Sequence, residues 1–217
     1  MAQVVLRTER IVFSYDGEKN IVFRPFELGR GEMVVLKGPM GCGKTTFAKI
    51  LAGLEKPAEG RVFFNENDIW KDRKARKEFS GKAVMLFQFS QDQLFEKSVL
   101  ADVMYGPLNL GMSREEAEKA SEEALSLCGV EKSLWDRNPL LLSGGQKKLV
   151  SFAGVLAMRS PVLILDEITA ALDLVSQKRI FDVLDFLMKE RGVSVVLVTH
   201  DDISLSCGGV YEIGNDQ

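Results

Sequence analysis

A glycine-rich segment at residues 38–45 constrains the fold of this chain more than any other feature. It reads Gly-Pro-Met-Gly-Cys-Gly-Lys-Thr and matches the pattern G-x-x-x-x-G-K-[ST]. A strand-like apolar stretch, 33–36, comes before it, and a helix-like stretch, 47–52, follows it. Glycines in such a loop let backbone N–H groups turn toward phosphate oxygens, and the N-terminus of the helix adds positive potential. The segment therefore predicts a phosphate-binding loop between a strand and a helix.

Four side chains predict what this loop does with a phosphate. Lys44 is placed to reach the β- and γ-phosphates, and the hydroxyl of Thr45 can take a Mg²⁺ position. The apolar run 162–165 predicts a buried strand that ends in Asp166 and Glu167. Asp166 can then hold the metal through water, and Glu167 can polarise an attacking water molecule.

Two further segments predict contacts with nucleotide. His200 is the one histidine of the chain, and it follows the apolar run 193–198. Ligands of parallel sheets gather at the carboxyl ends of strands, so His200 is predicted to contact the γ-phosphate. The turn 143–146, Ser-Gly-Gly-Gln, precedes a helical stretch and can bind a second anion. Since 38–45 already cradles one nucleotide, the second turn predicts a dimer with ATP between facing surfaces.

The remaining pattern predicts an α/β fold. Short apolar stretches predict strands at 4–6, 11–13, 21–26, 33–36, 162–165 and 193–198. Helical spacing predicts an acidic helix at 112–129, capped by Ser113 and Glu116, and another helix at 174–191. We predict one domain over 1–217, in which 1–87 and 141–217 form a nucleotide-binding core with a β element and 88–140 form a helical subdomain.

Composition excludes several classes of protein. Lys and Arg number 28 against 31 Asp and Glu, a formal net charge of −3, which argues against a protein held to nucleic acid by bulk charge. The longest uncharged apolar stretch, 149–158, is far shorter than the roughly 20 residues that cross a bilayer. The N-terminus lacks the apolar core of a secretion signal, and three widely spaced cysteines predict reduced thiols in the cytosol. Any membrane role is therefore expected to act through a partner.

Together these segments resemble the ATP-binding cassette (ABC) ATPases over nearly the whole chain. The phrases that carry the resemblance are GPMGCGKTT (38–46), LLSGGQKK (141–148), LILDE (163–167), AALD (170–173) and VTHD (198–201). Softer phrases are similar to the ATPase subunit of energy-coupling factor (ECF) transporters, namely FSY (13–15), QDQLF (91–95), YGPLNLG (105–111) and AGVLAMR (153–159). The resemblance implies a P-loop NTPase fold of the ABC ATPase type, with a mainly parallel core sheet, an N-terminal antiparallel β element and a helical subdomain.

The resemblance also implies roles for single residues. Tyr15 would stack on adenine, and Gln88 would contact Mg²⁺ and the water and begin the segment that senses the membrane partner. Glu167 would be the general base, His200 the γ-phosphate clamp and Asp173 a contact to the opposite monomer. The expected nucleotide-binding residues are Tyr15, Gly38, Pro39, Met40, Gly41, Cys42, Gly43, Lys44, Thr45, Thr46, Ser143, Gly144, Gly145, Gln146 and Asp173. The expected metal ligands are Thr45, Gln88 and Asp166, and the expected catalytic residues are Lys44, Gln88, Glu167 and His200.

The implied function is ATP hydrolysis with Mg²⁺ that powers a membrane transporter, of the ECF type that imports a vitamin or a transition-metal ion. The expected partners are a transmembrane coupling protein, a substrate-binding component and a second ATPase subunit, as homodimer or heterodimer, with no nucleic acid. The expected location is the cytoplasmic face of the cell membrane, as a peripheral protein. The chain departs from the family at Met40, Cys42 and Ile168, where asparagine, serine and proline are usual; none of these removes a group that touches phosphate chemistry.

Two other interpretations stay open. The first is an ATP-binding partner of low activity in a heterodimeric transporter ATPase. The replacement of the usual proline by Ile168 is consistent with this interpretation. The second is a soluble ABC ATPase that acts on DNA or ribosomes. The interval between Lys44 and Ser143 lacks the sustained heptads that such proteins usually insert there, which disfavours the second interpretation.

Overall fold

A computed structural model describes residues 3–15, 17, 20–170, 172–199 and 209–214. The strands are β1 (Val4–Thr8), β2 (Ile11–Phe13), β3 (Ile21–Phe23), β4 (Phe26–Gly29), β5 (Met33–Lys37), β6 (Val62–Phe64), β7 (Asn67–Asp68), β8 (Ala83–Leu86), β9 (Val162–Asp166), β10 (Ser194–Val198) and β11 (Gly209–Glu212). The helices are α1 (Lys44–Leu51), α2 (Arg73–Phe79), α3 (Val99–Asn109), α4 (Arg114–Leu127), α5 (Gly144–Ala157) and α6 (Leu174–Arg191). Short 3₁₀ turns lie at Ser90–Gln93, Lys132–Leu134 and Pro139–Leu141.

The chain divides into two compact units. The sheet unit comprises Met1–Met85, Pro161–Glu167 and Met188–Gln217, and the helical unit comprises Leu86–Ser160 and Ile168–Leu187. The predicted helical subdomain, 88–140, lies wholly within the helical unit, which also takes in residues on either side of β9. The bounds of that subdomain stay a prediction.

The central sheet of the sheet unit has the strand order β11-β5-β10-β9-β8. β10 pairs in parallel with both β5 and β9, and β11 pairs in parallel with β5. Every residue of β9 and of β10 is buried, as expected for parallel strands that are covered on both faces. The predicted mainly parallel core sheet is therefore confirmed, and the carboxyl ends of β5 and β9 lie at the same edge.

The predicted antiparallel element near the N-terminus is also present. One sheet has the order β4-β1-β6-β7, and β2 pairs with β3 in a separate ribbon. The single strand predicted at 21–26 is wrong, because β3 and β4 belong to different sheets. Pro25 lies between them; proline has no N–H to donate to a strand ladder, which explains the break.

A cluster of aromatic rings anchors the helix that follows the glycine-rich loop. Phe47 of α1 is 0% exposed. Its ring stacks on those of Phe23 and Tyr211, with centroids 4.6 and 5.1 Å apart, and meets Phe26 edge-on at 5.6 Å. Such pairs stabilise a core beyond the area that they bury. The cluster therefore fixes α1 against β3, β4 and β11, and with it the position of the loop.

The helical unit is built on α3, α4 and α5, which pack against one another. Helix α4 begins with the predicted capping box. The hydroxyl of Ser113 accepts the N–H of Glu116, at 3.3 Å, and the carboxylate of Glu116 accepts the N–H of Ser113, at 2.9 Å.

None of the helices in the described part of the chain combines the length and the apolar character that a membrane-spanning helix needs.

Candidate functional site

The glycine-rich loop joins the end of β5 to the start of α1, as the sequence predicts. Gly38, Gly41 and Gly43 have φ values of 154°, 76° and 98°, which side chains rarely tolerate. A Cβ atom at Gly38 would clash with the carbonyl oxygen of Ile213. Within the loop Met40 is 92% exposed and the thiol of Cys42 is buried. The loop therefore has a backbone conformation that depends on glycine, and its binding of phosphate stays a prediction.

Lys44 lies inside this loop. It is buried, and its Nζ donates hydrogen bonds to the carbonyl oxygens of Gly38 and Pro39, at 2.8 and 2.9 Å. An ammonium group has three donors, so one remains for a phosphate oxygen while these bonds persist. The loop thus holds one positive charge against two of its own carbonyl oxygens.

Thr45 and Asp166 meet at the edge of the sheet. The hydroxyl of Thr45 donates to Oδ2 of Asp166 at 2.8 Å, and Asp166 is 2% exposed. Burial raises the pKa of the Asp166 carboxyl, the hydrogen bond from Thr45 opposes that rise, and the neighbouring charge of Glu167 adds to it. A bound cation would favour the ionised form of this carboxylate.

The oxygen atoms of Thr45 and Asp166 suit a magnesium ion. Mg²⁺ prefers hard oxygen ligands and usually takes one or two carboxylates together with phosphate oxygens and water. Among the described residues, no group of three or more His, Cys, Asp or Glu side chains could hold a metal ion. A site of Mg²⁺ and nucleotide needs no such group, so the residues present fit the predicted ion.

Glu167 directly follows β9 and has an unusual backbone. Its φ is 51°, in the left-handed region, and its N–H donates to the carbonyl oxygen of Val198 at 3.0 Å. A left-handed conformation is uncommon for residues other than glycine, and such positions cluster at functional sites. The bond to Val198 ties the predicted base to the end of the neighbouring strand β10.

Tyr15 lies beside the start of α1. Its hydroxyl is 3.0 Å from the hydroxyl of Thr46, and its ring meets Phe13 edge-on with centroids 4.8 Å apart. The side chain is nevertheless 63% exposed. One edge of the tyrosine is therefore fixed while the ring stays accessible to a ligand.

The second predicted anion site lies in the helical unit. Ser143 caps α5 with a capping box, in which its hydroxyl accepts the N–H of Gln146 at 3.3 Å. The amide oxygen of Gln146 accepts the N–H of Ser143 at 3.0 Å. A Cβ atom at Gly144 would meet nothing within 4 Å, so the approach to the first turn of α5 is open. This geometry leaves the helix N-terminus accessible to an anion.

Asp173 and Gln88 also belong to the helical unit. Asp173 is exposed and its carboxylate accepts hydrogen bonds from the N–H and the hydroxyl of Ser176, at 2.8 and 3.1 Å. These bonds lower the pKa of the Asp173 carboxyl. Gln88 is half-buried and follows the end of β8 by two residues.

The structure thus groups the predicted site residues in two sets. The sheet unit brings together Tyr15, the segment 38–46, Asp166 and Glu167. The helical unit brings together the turn 143–146 and the loop that ends in Asp173, since a Cβ atom at Gly145 would lie 3.6 Å from the side chain of Leu172. His200 lies outside the described residues, so its predicted role stays a prediction.

Comparison with known proteins then decides the family. Residues 24–170 match the ABC transporter family. This chain belongs to that family. The resemblance to ECF ATPases is confirmed as well: the ECF transporter ATP-binding protein EcfA2 of Bacillus licheniformis is 44% identical over 172 residues, which are 78% of this chain and 60% of that protein. EcfA of Methanocaldococcus jannaschii is 39% identical over 198 residues, which are 91% of this chain and 70% of that protein.

Solved structures of the family confirm the predicted ABC ATPase fold. The protein cbiO1 of Clostridium perfringens, part of the ABC transporter complex cbiONQ, has a TM-score of 0.84 and 34% identity, over 97% of this chain and 85% of that one. A dimeric bacterial ABC transporter cassette, MJ0796, has a TM-score of 0.79 and 30% identity, over 90% of this chain and 88% of that one. This chain spans about 60% of the length of the Bacillus licheniformis relative.

Sequence reasoning missed two polar side chains beside the loop that carries Asp173. The Nζ of Lys148 donates to the carbonyl oxygen of Ala170, and Nε2 of Gln177 donates to those of Thr169 and Leu172, at 3.3 and 3.1 Å. Lys148 comes one helical turn after Gly144, and this spacing predicts that it lies on the same face of α5 as the turn 143–146. Nothing in the sequence around Gln177 predicts its two bonds.

Proposed function

We propose that this protein is the ATP-binding and ATP-hydrolysing subunit of an ECF-type transporter. The observation that carries the proposal is the cradle of the sheet unit, where the buried Lys44 lies inside the glycine loop and the hydroxyl of Thr45, at the end of that loop, is bonded to Asp166. A glycine loop of this kind suits phosphate, and the paired hydroxyl and carboxylate suit its Mg²⁺. The names of the curated relatives support the ECF assignment.

The residues of this site have distinct roles in the proposed reaction. The loop N–H groups and Lys44 bind the phosphates, and Tyr15 stacks on adenine. Thr45 and Asp166 would hold Mg²⁺, which when bound would supply positive charge to offset that of the phosphates. Glu167 orients the attacking water and accepts its proton, and His200 contacts the γ-phosphate. Gln88 would contact Mg²⁺ and the water, the role that the resemblance to the family implies.

We further propose that a second subunit completes the site. The turn 143–146 of one subunit would bind the ATP held by the glycine loop of the other, and Asp173 would contact the opposite monomer. The open N-terminus of α5 supports this arrangement, because the same chain already has a separate phosphate cradle at 38–45. A related cassette is known as a dimer. The second subunit is a copy of this chain or a homologue.

The membrane partner is proposed to bind near the segment that begins at Gln88. Within the helical unit the rings of Phe95 and Tyr105 meet edge-on at 4.9 Å and are 60% and 48% exposed. Exposed aromatic pairs are typical of protein interfaces. With residues 88–140 as a helical subdomain, this surface would transmit closure of the dimer to a transmembrane coupling protein. The transported substrate is proposed to be a vitamin or a transition-metal ion, selected by a separate membrane component.

The proposal is tested by purifying the chain with its partners. A tagged copy is recovered from detergent-solubilised membranes of its own host, the co-purified proteins are identified, and Mg²⁺-dependent release of phosphate from ATP is measured. Stoichiometric integral membrane proteins together with ATP turnover are the expected result. Recovery with nucleic acid or ribosomes and without membrane proteins would contradict the transport role.

Two capping boxes of similar geometry allow the role of Ser143 to be tested. Ser143→Ala and Ser113→Ala each remove one cap in the helical unit, so each is expected to lower the free energy of unfolding by about 1 kcal/mol. Only Ser143→Ala is expected to slow ATP turnover, by about tenfold, because only that hydroxyl is proposed to face the partner's ATP. Denaturant unfolding and steady-state ATPase rates measure both effects. Equal rates in the two variants would contradict the proposed contact.

The adenine contact of Tyr15 gives a second prediction. Tyr15→Ala is expected to raise the dissociation constant of ATP about tenfold, since stacking of a base on an aromatic ring contributes about 1–3 kcal/mol. Tyr15→Phe keeps the ring and loses only the bond to Thr46, so it serves as the matched control and should change the constant less than about threefold. Calorimetric titration with ATP measures the constants. Equal weakening in both variants would assign the effect to the hydroxyl instead.

A further inference from the structure

The loop between Glu167 and α6 has a mixed environment. Its residues Ile168, Thr169 and Leu172 are buried, whereas Asp173 is exposed. Among the described residues of the loop Ala170 is also exposed, so the loop presents one carboxylate outward from a segment that is otherwise mostly buried. Whatever holds that backbone also sets the position of Asp173.

Helix α5 holds the loop from one side. The Nζ of Lys148 donates to the carbonyl oxygen of Ala170, across 22 residues of sequence. Lys148 is half-buried and lies four residues after Gly144, so it is on the same face of α5 as the start of that helix. A charged donor makes a stronger hydrogen bond to a carbonyl than a neutral one does. The bond thus links the turn 143–146 to the loop through one rigid helix.

Helix α6 holds the same loop from within its own first turn. The side-chain amide of Gln177 donates to the carbonyl oxygens of Thr169 and Leu172. Asp173 in turn accepts the N–H of Ser176. Two side chains, one from α5 and one from α6, therefore bond three carbonyl groups of the loop, those of residues 169, 170 and 172.

We propose that Lys148 is a positioning residue that couples the turn 143–146 to the loop carrying Asp173, so that both meet the partner subunit in one arrangement. Gln177 supports the same loop from the other helix. This inference rests on the proposed function, in which both segments face the second subunit. Lys148 itself touches neither nucleotide nor reacting atoms in this role. Its loss should therefore weaken dimer formation and turnover while leaving the binding of ATP to one subunit unchanged.

The test compares Lys148→Met, which keeps the apolar stem and removes the donor, with Lys148→Arg, which keeps a charged donor. In a Glu167→Gln background, ultracentrifugation with ATP is expected to show dimers of Lys148→Met that dissociate at about tenfold higher concentration. The affinity of the monomer for ATP, measured below that concentration, should change less than twofold. Lys148→Arg should recover most of the dimer. Lys178→Met removes an exposed lysine of the same unit, which pairs with Asp182, and should behave as the parent.

Two further measurements make the result specific. Amide hydrogen exchange at residues 169–173 should be faster in Lys148→Met than in the parent, even without nucleotide. Gln177→Leu should weaken the dimer as well, and the double variant should lose less than the two single losses combined, because both side chains hold one loop. Unchanged exchange, or no recovery in Lys148→Arg, would overturn the inference. A parent chain that neither binds nor hydrolyses ATP would instead overturn the proposed function.

Discussion

Replacing Glu167 with glutamine is expected to reduce ATP turnover by about 10²–10⁴-fold, the usual contribution of a general base. Glutamine preserves the size and much of the polarity of the side chain but cannot accept the proton of the attacking water. The glycine loop, Lys44 and Asp166 are untouched, so ATP should bind with nearly the parental affinity. Because bound ATP then persists, the variant should accumulate closed dimers. Phosphate release and ultracentrifugation with Mg²⁺ and ATP measure the two effects.

A matched control for this variant is Glu190→Gln, which neutralises an exposed carboxylate near the end of α6. It should hydrolyse ATP at the parental rate. Full turnover in Glu167→Gln would show that another group supplies the base. If the parent were already as slow as Glu167→Gln, the chain would act as the low-activity partner of a heterodimer. The comparison of parent and variant therefore separates those two interpretations.

Replacing Lys44 with methionine is expected to raise the dissociation constant of ATP by about 10–100-fold, because a hydrogen bond to a charged group contributes about 1.5–3 kcal/mol. The parental Nζ already lies in the cradle, bonded to the carbonyl oxygens of Gly38 and Pro39. Methionine has a similar length and fills the same buried space without the charge. The glycine loop should therefore remain folded and lose its attraction for phosphate.

Thermal unfolding in the presence and absence of ATP and Mg²⁺ measures this loss. A ligand that binds only the folded state raises the unfolding temperature by an amount that grows with the logarithm of 1 plus the ratio of its concentration to its dissociation constant. The parent should show a clear rise and Lys44→Met almost none at the same ATP concentration. Lys56→Met, at an exposed lysine after α1, is the control and should keep the parental rise. An unchanged rise in Lys44→Met would exclude the glycine loop as the phosphate site.

The part of the candidate site that lies in the sheet unit could be placed almost completely from the sequence. The glycine loop is one continuous segment, and its preceding strand and following helix are where the apolar pattern puts them. Asp166 and Glu167 come at the end of a run of buried residues, so their place at the edge of a parallel sheet follows from that run. Both signals are local, since each depends on residues that are adjacent in the chain. The capping boxes of α4 and α5 are readable for the same reason.

Other features depend on packing between distant segments. The proline at position 25 is enough to predict a break in the strand. The assignment of β3 and β4 to two sheets, however, depends on which strands they pair with. The left-handed backbone of Glu167 and the bond between Tyr15 and Thr46 follow from the meeting of separate segments. The sequence alone thus determined the glycine loop with its flanking strand and helix, and the family, because these depend on particular residues at fixed spacing. Only the tertiary structure decided how Lys148 holds the Asp173 loop, because a side chain reaches a carbonyl group 22 residues away only once helix and loop have packed.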